Sequence, residues 1–186
     1  MNSRKIATIA SLAALSIATD YAMVYFPNVK LMDLIVFVSG FCFGPAVGVL
    51  TGVVSWAIYG PLNPQGFSLP IWLATMFFEA VYGVAGAWLR KSLDLEGSDF
   101  SRDQVNFWVF FALLGMLLTF VYDIGTNIVF GYAYGMSLLY AIVIGFVPFG
   151  IVHVLSNALF FGFGCVPSIN ALLKVVGGEK HGIPKK

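Results

Sequence analysis

Long apolar runs follow one another along this chain, separated by short polar breaks or by breaks rich in glycine and proline. A helix needs about 20 residues to cross the hydrocarbon core of a bilayer. Measured against that length, the runs at 6–26, 70–89, 106–130 and 147–173 each predict one membrane-spanning helix.

The apolar stretch 31–60 is long for one span and short for two. Gly44-Pro45 lies near its middle, and proline lacks the backbone donor that a continuous helix requires. We therefore predict two short spans, 31–43 and 45–60, joined by a tight turn. The prediction is a single all-α domain over 1–174, a bundle of six transmembrane helices, followed by a mobile cytoplasmic tail at 175–186.

Composition narrows the class of protein. Hydrophobic residues make up 59% of the 186 positions and charged residues 10%, and the mean hydropathy is +0.89. Soluble domains are about a quarter charged, and a soluble domain of this size cannot bury so much apolar surface. A net charge of +1 provides no basic field for nucleic acid. These values exclude a soluble enzyme, a disordered chain and a nucleic-acid binder, and predict a multi-pass protein of the cell membrane.

Basic residues orient the predicted spans, because positive charge concentrates on the cytoplasmic side. Six spans with both termini in the cytoplasm place every one of the 10 basic residues inside except Lys30. Five spans with the N-terminus outside move Arg4 and Lys5 to the outer side instead. The rule favours six spans slightly, and both arrangements orient residues 61–186 alike.

Small residues form a stripe on the first predicted helix. Ala10, Ala14 and Ala18 recur every four positions and share one helical face. In lipid, small residues let helices approach closely, and this packing drives their association. The stripe either packs inside this protein's own bundle or docks on a partner membrane protein.

Polar residues share helical faces in the later spans: Glu79 with Tyr82 nearby, Thr119 with Asp123 and Asn127, and His153 with Asn157. A charged group in hydrocarbon is costly and should face a partner or a water-filled cavity. Together with Asp20 on the first span, these residues predict a polar internal site that binds a substrate. In the alternative interpretation they only tie helices together.

Aromatic residues gather near the outer ends of the same helices. Trp56 and Tyr59 are candidates for stacking on a planar ligand, although an interfacial aromatic belt also explains them. The turn-rich segment 60–66, which contains Asn63, is predicted to cap a pocket. Cys42 and Cys165 lie in apolar runs without ligand spacing, so we expect no metal site.

Several short segments together resemble the substrate-binding S-components of energy-coupling factor (ECF) transporters. They are Pro27-Asn28-Val29-Lys30, Phe37-Val38-Ser39-Gly40, Phe43-Gly44-Pro45, Gly48, Tyr59-Gly60, Asn63-Pro64-Gln65-Gly66 and Pro148-Phe149-Gly150. No single motif is highly specific; the resemblance depends on their order and spacing through most of the chain.

The resemblance implies a six-helix membrane subunit that captures a vitamin or related micronutrient from outside the cell. It also implies docking through Ala10, Ala14 and Ala18 on a transmembrane coupling subunit, which a pair of cytoplasmic ATPases drives. This chain has no Walker motif, so ATP hydrolysis would belong to those partners. The substrate does not follow from the fold. The chemistry of Trp56, Glu79, Asp123 and His153 suits a partly cationic aromatic ligand, such as a thiamine-like molecule or a corrinoid.

Other function classes fit the sequence less well. Tyr122-Asp123 is similar to one motif of intramembrane aspartyl proteases, but the Gly-x-Gly-Asp partner is absent. Gly-x-Ser-x-Gly is absent too, so we expect no catalytic residues, no cofactor and no enzymatic activity. The main alternative is a solitary small-solute transporter in which buried carboxylates couple protons or sodium to the substrate.

Overall fold

The computed structural model describes residues 1–64, 66–92 and 104–181. The helices in this part of the chain are α1 (Ser3–Ala22), α2 (Met32–Phe43), α3 (Pro45–Tyr59), α4 (Leu69–Ser92), α5 (Gln104–Ala133), α6 (Leu138–Gly145) and α7 (Ile151–His181). A 3-10 turn, Gly60–Leu62, follows α3, and a π-helical turn, Phe146–Gly150, links α6 to α7. The described residues contain no strand, which confirms the all-α prediction for them.

Four helical stretches are long and apolar enough to cross a membrane. They are Pro45–Leu62, Leu69–Ser92, Asn106–Ala133 and Leu138–Val175. The helix Met32–Phe43 is apolar but shorter. These stretches indicate a membrane protein, while the count of six spans stays a prediction.

Gly44 separates α2 from α3. It has a φ of 91°, in the left-handed region that glycine adopts readily, and Pro45 begins the next helix, where a missing N–H costs no hydrogen bond. A Cβ atom on Gly48 would lie 2.7 Å from the Cα atoms of both Gly40 and Gly83. Residues 40 and 48 are equally far from the turn, so α2 and α3 form a tight antiparallel hairpin that packs against α4.

Helix α2 is the centre of the bundle. It packs against α1, α3, α4 and α7, and nearly all of its side chains are buried. Phe37 has aromatic neighbours on both later helices: its ring centroid lies 6.2 Å from that of Phe111 on α5 and 5.2 Å from that of Phe161 on α7. Helix α5 packs in turn against α4, α6 and α7.

The bundle has two distinct ends. At the first, the Tyr21 hydroxyl donates to the Leu62 carbonyl over 3.0 Å, and the Asn28 amide donates to the Phe149 carbonyl over 3.1 Å. At the second, the Arg90 guanidinium donates to the carbonyls of Phe41 and Cys42, over 3.1 and 2.7 Å, where α2 ends. We call the first the pocket end and the second the Arg90 end.

Three parts of the helical arrangement differ from the sequence prediction. Helix α1 ends at Ala22, and the remaining apolar residues of its run form turns in which Tyr25 is 90% and Phe26 65% exposed. Helix α6 was not predicted from the sequence; its eight residues continue into the apolar run of α7. Val147 takes extended angles (φ −112°, ψ 114°) between them, so the two helices meet at a kink. Helix α7 continues to His181, into the segment 175–186 that was predicted as a tail, and the last five residues, 182–186, lie outside the described chain.

Candidate functional site

A cavity of about 410 Å³ opens at the pocket end. This volume lies in the range of ~300–1,000 Å³ that is typical of small-molecule sites. Its lining comes from the loop before α2, from α3 and the segment that follows it, from the start of α4, from α5 and from the kink after α6.

Aromatic rings and uncharged polar groups line most of the cavity, with one basic and one acidic residue. The aromatic lining residues are Trp56, Phe67, Trp72, Tyr122, Phe130 and Phe149. The uncharged polar ones are Asn28, Asn63, Ser68, Thr75, Thr126 and Asn127, and the charged ones are Lys30 and Asp123. An apolar cavity with a few convergent polar groups is the usual form of a ligand site.

Three contacts hold Trp56 in the cavity wall. Its indole N–H donates to Glu79 Oε2 over 3.0 Å, and its backbone carbonyl accepts the indole N–H of Trp72 over 2.8 Å. On its cavity side, the Lys30 amine lies 4.3 Å from the ring centroid, within the range of a cation–π contact. The sequence predicted Glu79 as a substrate-binding residue; it is fully buried and contacts Trp56 rather than the cavity.

Replacing Glu79 tests whether its function is to orient Trp56. Glu79→Ala should weaken ligand binding by about tenfold, because it leaves the indole N–H of Trp56 buried without an acceptor, at a cost of roughly 1–3 kcal/mol. Glu79→Gln keeps an oxygen acceptor for the indole N–H and should bind within about twofold of wild type. Binding to the purified variants measures both. Equal losses in the two variants would contradict a positioning function and indicate a direct charge contact with the ligand.

A second polar group is buried among α2, α5 and α7. The imidazole of His153 lies between two carboxylates: Nδ1 is 3.0 Å from Asp123 Oδ1, and Nε2 is 2.7 Å from Asp33 Oδ2. An ionised carboxylate only accepts hydrogen bonds, so an imidazolium that donates from both nitrogens satisfies both partners. This network connects the cavity wall, through Asp123, to the central helix α2.

Asn157 and Thr119 extend the network towards α4. The Asn157 amide donates to Asp33 Oδ2 and, over 2.7 Å, to the Thr119 hydroxyl. The Tyr82 hydroxyl donates to the same Thr119 oxygen over 3.0 Å. Four helices therefore share one buried set of hydrogen bonds.

Asp33 is the member of the network that the sequence analysis missed. It is 1% exposed, and its partner His153 lies 120 positions further along the chain. Its position in the first turn of α2 favours a negative charge, since the helix dipole is positive there. A lone acid inside an apolar run was the available signal.

Asp20, by contrast with Asp33, contacts the backbone at the start of α2. Its Oδ1 accepts from the Met32 backbone N–H over 3.4 Å, at the start of α2, where Leu31 provides no side-chain cap. Asp20 is buried and is not among the cavity-lining residues.

The other predicted site residues divide into two groups. Trp56, Asn63, Asp123 and Asn127 line the cavity. Tyr59, Glu79, Tyr82, His153 and Asn157 are buried in the bundle without lining it. Tyr59 packs edge-on against Trp56, with ring centroids 5.5 Å apart. The cavity residues that the sequence analysis did not select include Lys30, Trp72 and Tyr122.

Several buried side-chain oxygens have no hydrogen-bond partner among the described residues: Asp20 Oδ2, Asp33 Oδ1, Thr51 Oγ1, Ser55 Oγ, Glu79 Oε1, Asp123 Oδ2 and Asn157 Oδ1. Most belong to carboxylates or to an amide carbonyl, which are acceptors. Among the described residues, no group of three or more His, Cys, Asp and Glu is arranged to hold a metal ion. The unpartnered atoms in the interior are therefore mainly acceptors, and a hydrogen-bond donor would be a suitable partner for them.

The small stripe of α1 lies on the outside of the bundle. Ala10, Ala14 and Ala18 are exposed, whereas Ile9, Ala13, Ser16 and Asp20 form the buried face of the same helix. Ala10, Ala14 and Ala18 therefore do not pack in the interior that the described helices form.

Comparison with protein-family models, with curated proteins and with solved structures finds no match to this chain.

Proposed function

We propose that this protein is the membrane-embedded substrate-capture subunit of an ATP-driven importer of the ECF type. It binds a vitamin or related micronutrient at an outward-facing pocket and carries out no chemistry itself. The observation that carries this proposal is the cavity of about 410 Å³ at the pocket end, with aromatic walls and one residue of each charge. That volume favours a thiamine-sized molecule over a corrinoid.

The charge distribution supports an outward-facing pocket. Lys30 lines the cavity, whereas Arg90 and Lys91 end α4 at the other end of the bundle, and Arg4 and Lys5 begin α1. Positive charge concentrates on the cytoplasmic side of membrane proteins. With six spans and both termini in the cytoplasm, the Arg90 end faces the cytoplasm and the pocket end faces outward.

The exposed stripe on α1 supports docking on a partner. Alanines four residues apart present a flat surface to which another helix can pack closely in lipid. In the proposed importer this surface contacts the transmembrane coupling subunit, which transmits the ATP-driven motion of two cytoplasmic ATPase subunits.

Uptake into proteoliposomes tests the proposal. The substrate is first identified by mass spectrometry of the small molecule that co-purifies with the protein. We expect the chain alone to bind this substrate without transporting it, and uptake to require the coupling subunit, both ATPases and ATP. An ATPase variant with a substituted Walker lysine is the matched control and should abolish uptake.

A solitary transporter is the second candidate function, and the buried Asp33–His153–Asp123 network favours it, because such groups relay protons in membrane transporters. In that case the chain alone would accumulate substrate when a proton or sodium gradient is imposed. Accumulation without ATPases would overturn the importer proposal.

A further inference from the structure

We propose that the ligand of the cavity is a flat aromatic molecule with an anionic group at one end and an ammonium or N–H donor group at the other. This inference rests on the proposed function, since it names the substrate class of the same pocket. It follows from the placement of three kinds of group around the cavity.

The aromatic residues of the cavity indicate a flat ring. Trp56, Trp72 and Phe67 lie on the side of α3 and α4, and Tyr122, Phe130 and Phe149 lie on the side of α5 and the kink. The rings of Phe67 and Trp72 already pair, with centroids 5.7 Å apart. Aromatic side chains from several elements around one cavity favour a planar aromatic ligand, because ring–ring contacts add to simple apolar burial.

Lys30 indicates the anionic end. Its amine lies over the Trp56 ring at 4.3 Å and lines the cavity. Lys30 forms no ion pair with the carboxylates of the described residues. A partly buried ammonium without a carboxylate partner offers a charge-assisted hydrogen bond to an anionic ligand. Asn28, on the same loop, lines the cavity beside it.

Asp123 indicates the donor end. The residue lines the cavity, its Oδ1 contacts His153, and its Oδ2 is buried without a partner among the described residues. Asn127, one turn further along α5, lines the same wall. A buried carboxylate oxygen without a partner is unfavourable, and an ammonium or N–H group on the ligand would satisfy it.

The two charged lining residues lie on different elements, Lys30 on the loop before α2 and Asp123 on α5, and no ion pair joins them. A single charged group on a ligand can pair with only one of them, because their charges are opposite. A purely cationic ligand would leave the Lys30 ammonium without an anionic partner. A purely anionic ligand would leave Asp123 Oδ2 without a hydrogen-bond donor. A molecule with a charge at each end satisfies both.

Three small probes of equal ring size separate these cases: 4-(aminomethyl)benzoate, 4-methylbenzoate and 4-methylbenzylamine. Binding is measured by saturation-transfer NMR titration of the full chain in lipid nanodiscs, with empty nanodiscs as the blank. The doubly charged probe should bind about tenfold more tightly than either singly charged probe, since each charge-assisted contact contributes about that factor.

Variants of Lys30 and Asp123 test which residue contacts each end of the probe. In Lys30→Met, the doubly charged probe should no longer bind more tightly than 4-methylbenzylamine, whose own affinity should be unchanged. In Lys30→Arg, the doubly charged probe should still bind more tightly. Asp123→Asn should remove the advantage of the ammonium and leave 4-methylbenzoate binding unchanged. Because Asp123 also contacts His153, the melting temperature of every variant is measured, and the comparison of probes on the wild type does not depend on any variant.

Equal affinity for the three probes, or no saturable binding of any of them, would overturn the ligand assignment. So would a carboxylate advantage that survives in Lys30→Met. The assay needs neither coupling subunit nor ATPases. The expected probe pattern without ATP-dependent uptake would therefore overturn the importer proposal alone, and ATP-dependent uptake without the probe pattern would overturn the ligand assignment alone.

Discussion

Replacing Asp33 by alanine is expected to lower the stability of the protein by about 3–5 kcal/mol, because removing one partner of a buried ion pair leaves an uncompensated charge. Asp33 Oδ2 accepts from both His153 and Asn157. Without it, the imidazole and the amide lose their common acceptor in the centre of the bundle. Thermal unfolding in detergent, followed by the loss of monodisperse protein, measures the effect.

Asp33→Asn is the matched control for this substitution. The asparagine has the same shape and keeps an oxygen that accepts from His153, so its loss of stability should be clearly smaller than that of Asp33→Ala. An alanine variant as stable as the wild type would contradict a structural function of the network.

Replacing Ala14 by tryptophan is expected to reduce recovery of the complex with the coupling subunit by about tenfold or more, because a large ring on the α1 stripe holds a partner helix away and each 1.4 kcal/mol changes affinity tenfold. Ala14 is exposed, so the chain itself should fold normally. Affinity capture of the partner by the detergent-solubilised variant measures assembly. Substrate binding, measured on the same preparation, should be unchanged.

Leu15→Trp is the control for this surface. Leu15 is 50% exposed and adjacent in sequence, but it lies about 100° around the helix from the stripe. It should leave both assembly and binding intact. Equal loss of assembly in the two variants would show that bulk anywhere on α1 is harmful. Loss of substrate binding with Ala14→Trp would indicate misfolding rather than a blocked surface.

Much of the fold was predictable, because helices that lie in lipid leave a simple pattern in the sequence, namely long apolar runs separated by short breaks. Gly44-Pro45 gave the hairpin of α2 and α3 directly, since few residues combine a left-handed turn with a helix start. The helix α6 was not predicted, because its eight apolar residues merge with the run that follows. The available signal was Pro148, since the residue before a proline is biased away from helical angles, as Val147 is.

The site was predictable only in part, and the reason is distance along the chain. Helical spacing identified Asp123 with Asn127, and His153 with Asn157, since each pair lies on one helix. It could not identify Asp33, whose neighbours one turn away, Val36 and Phe37, are apolar. Nor could spacing show that Glu79 contacts the indole of Trp56 on another helix.

The arrangement of tryptophans has an optical consequence. Trp56 and Trp72 line the cavity, whereas Trp88 and Trp108 are exposed on the outer surface at 66% and 39%. Brominated lipids quench the fluorescence of indoles that touch the acyl chains. They should therefore quench Trp88 and Trp108 and leave the emission of Trp56 and Trp72. The residual fluorescence then comes from the two rings that line the cavity, and we expect it to change when a ligand occupies the cavity, without any added label.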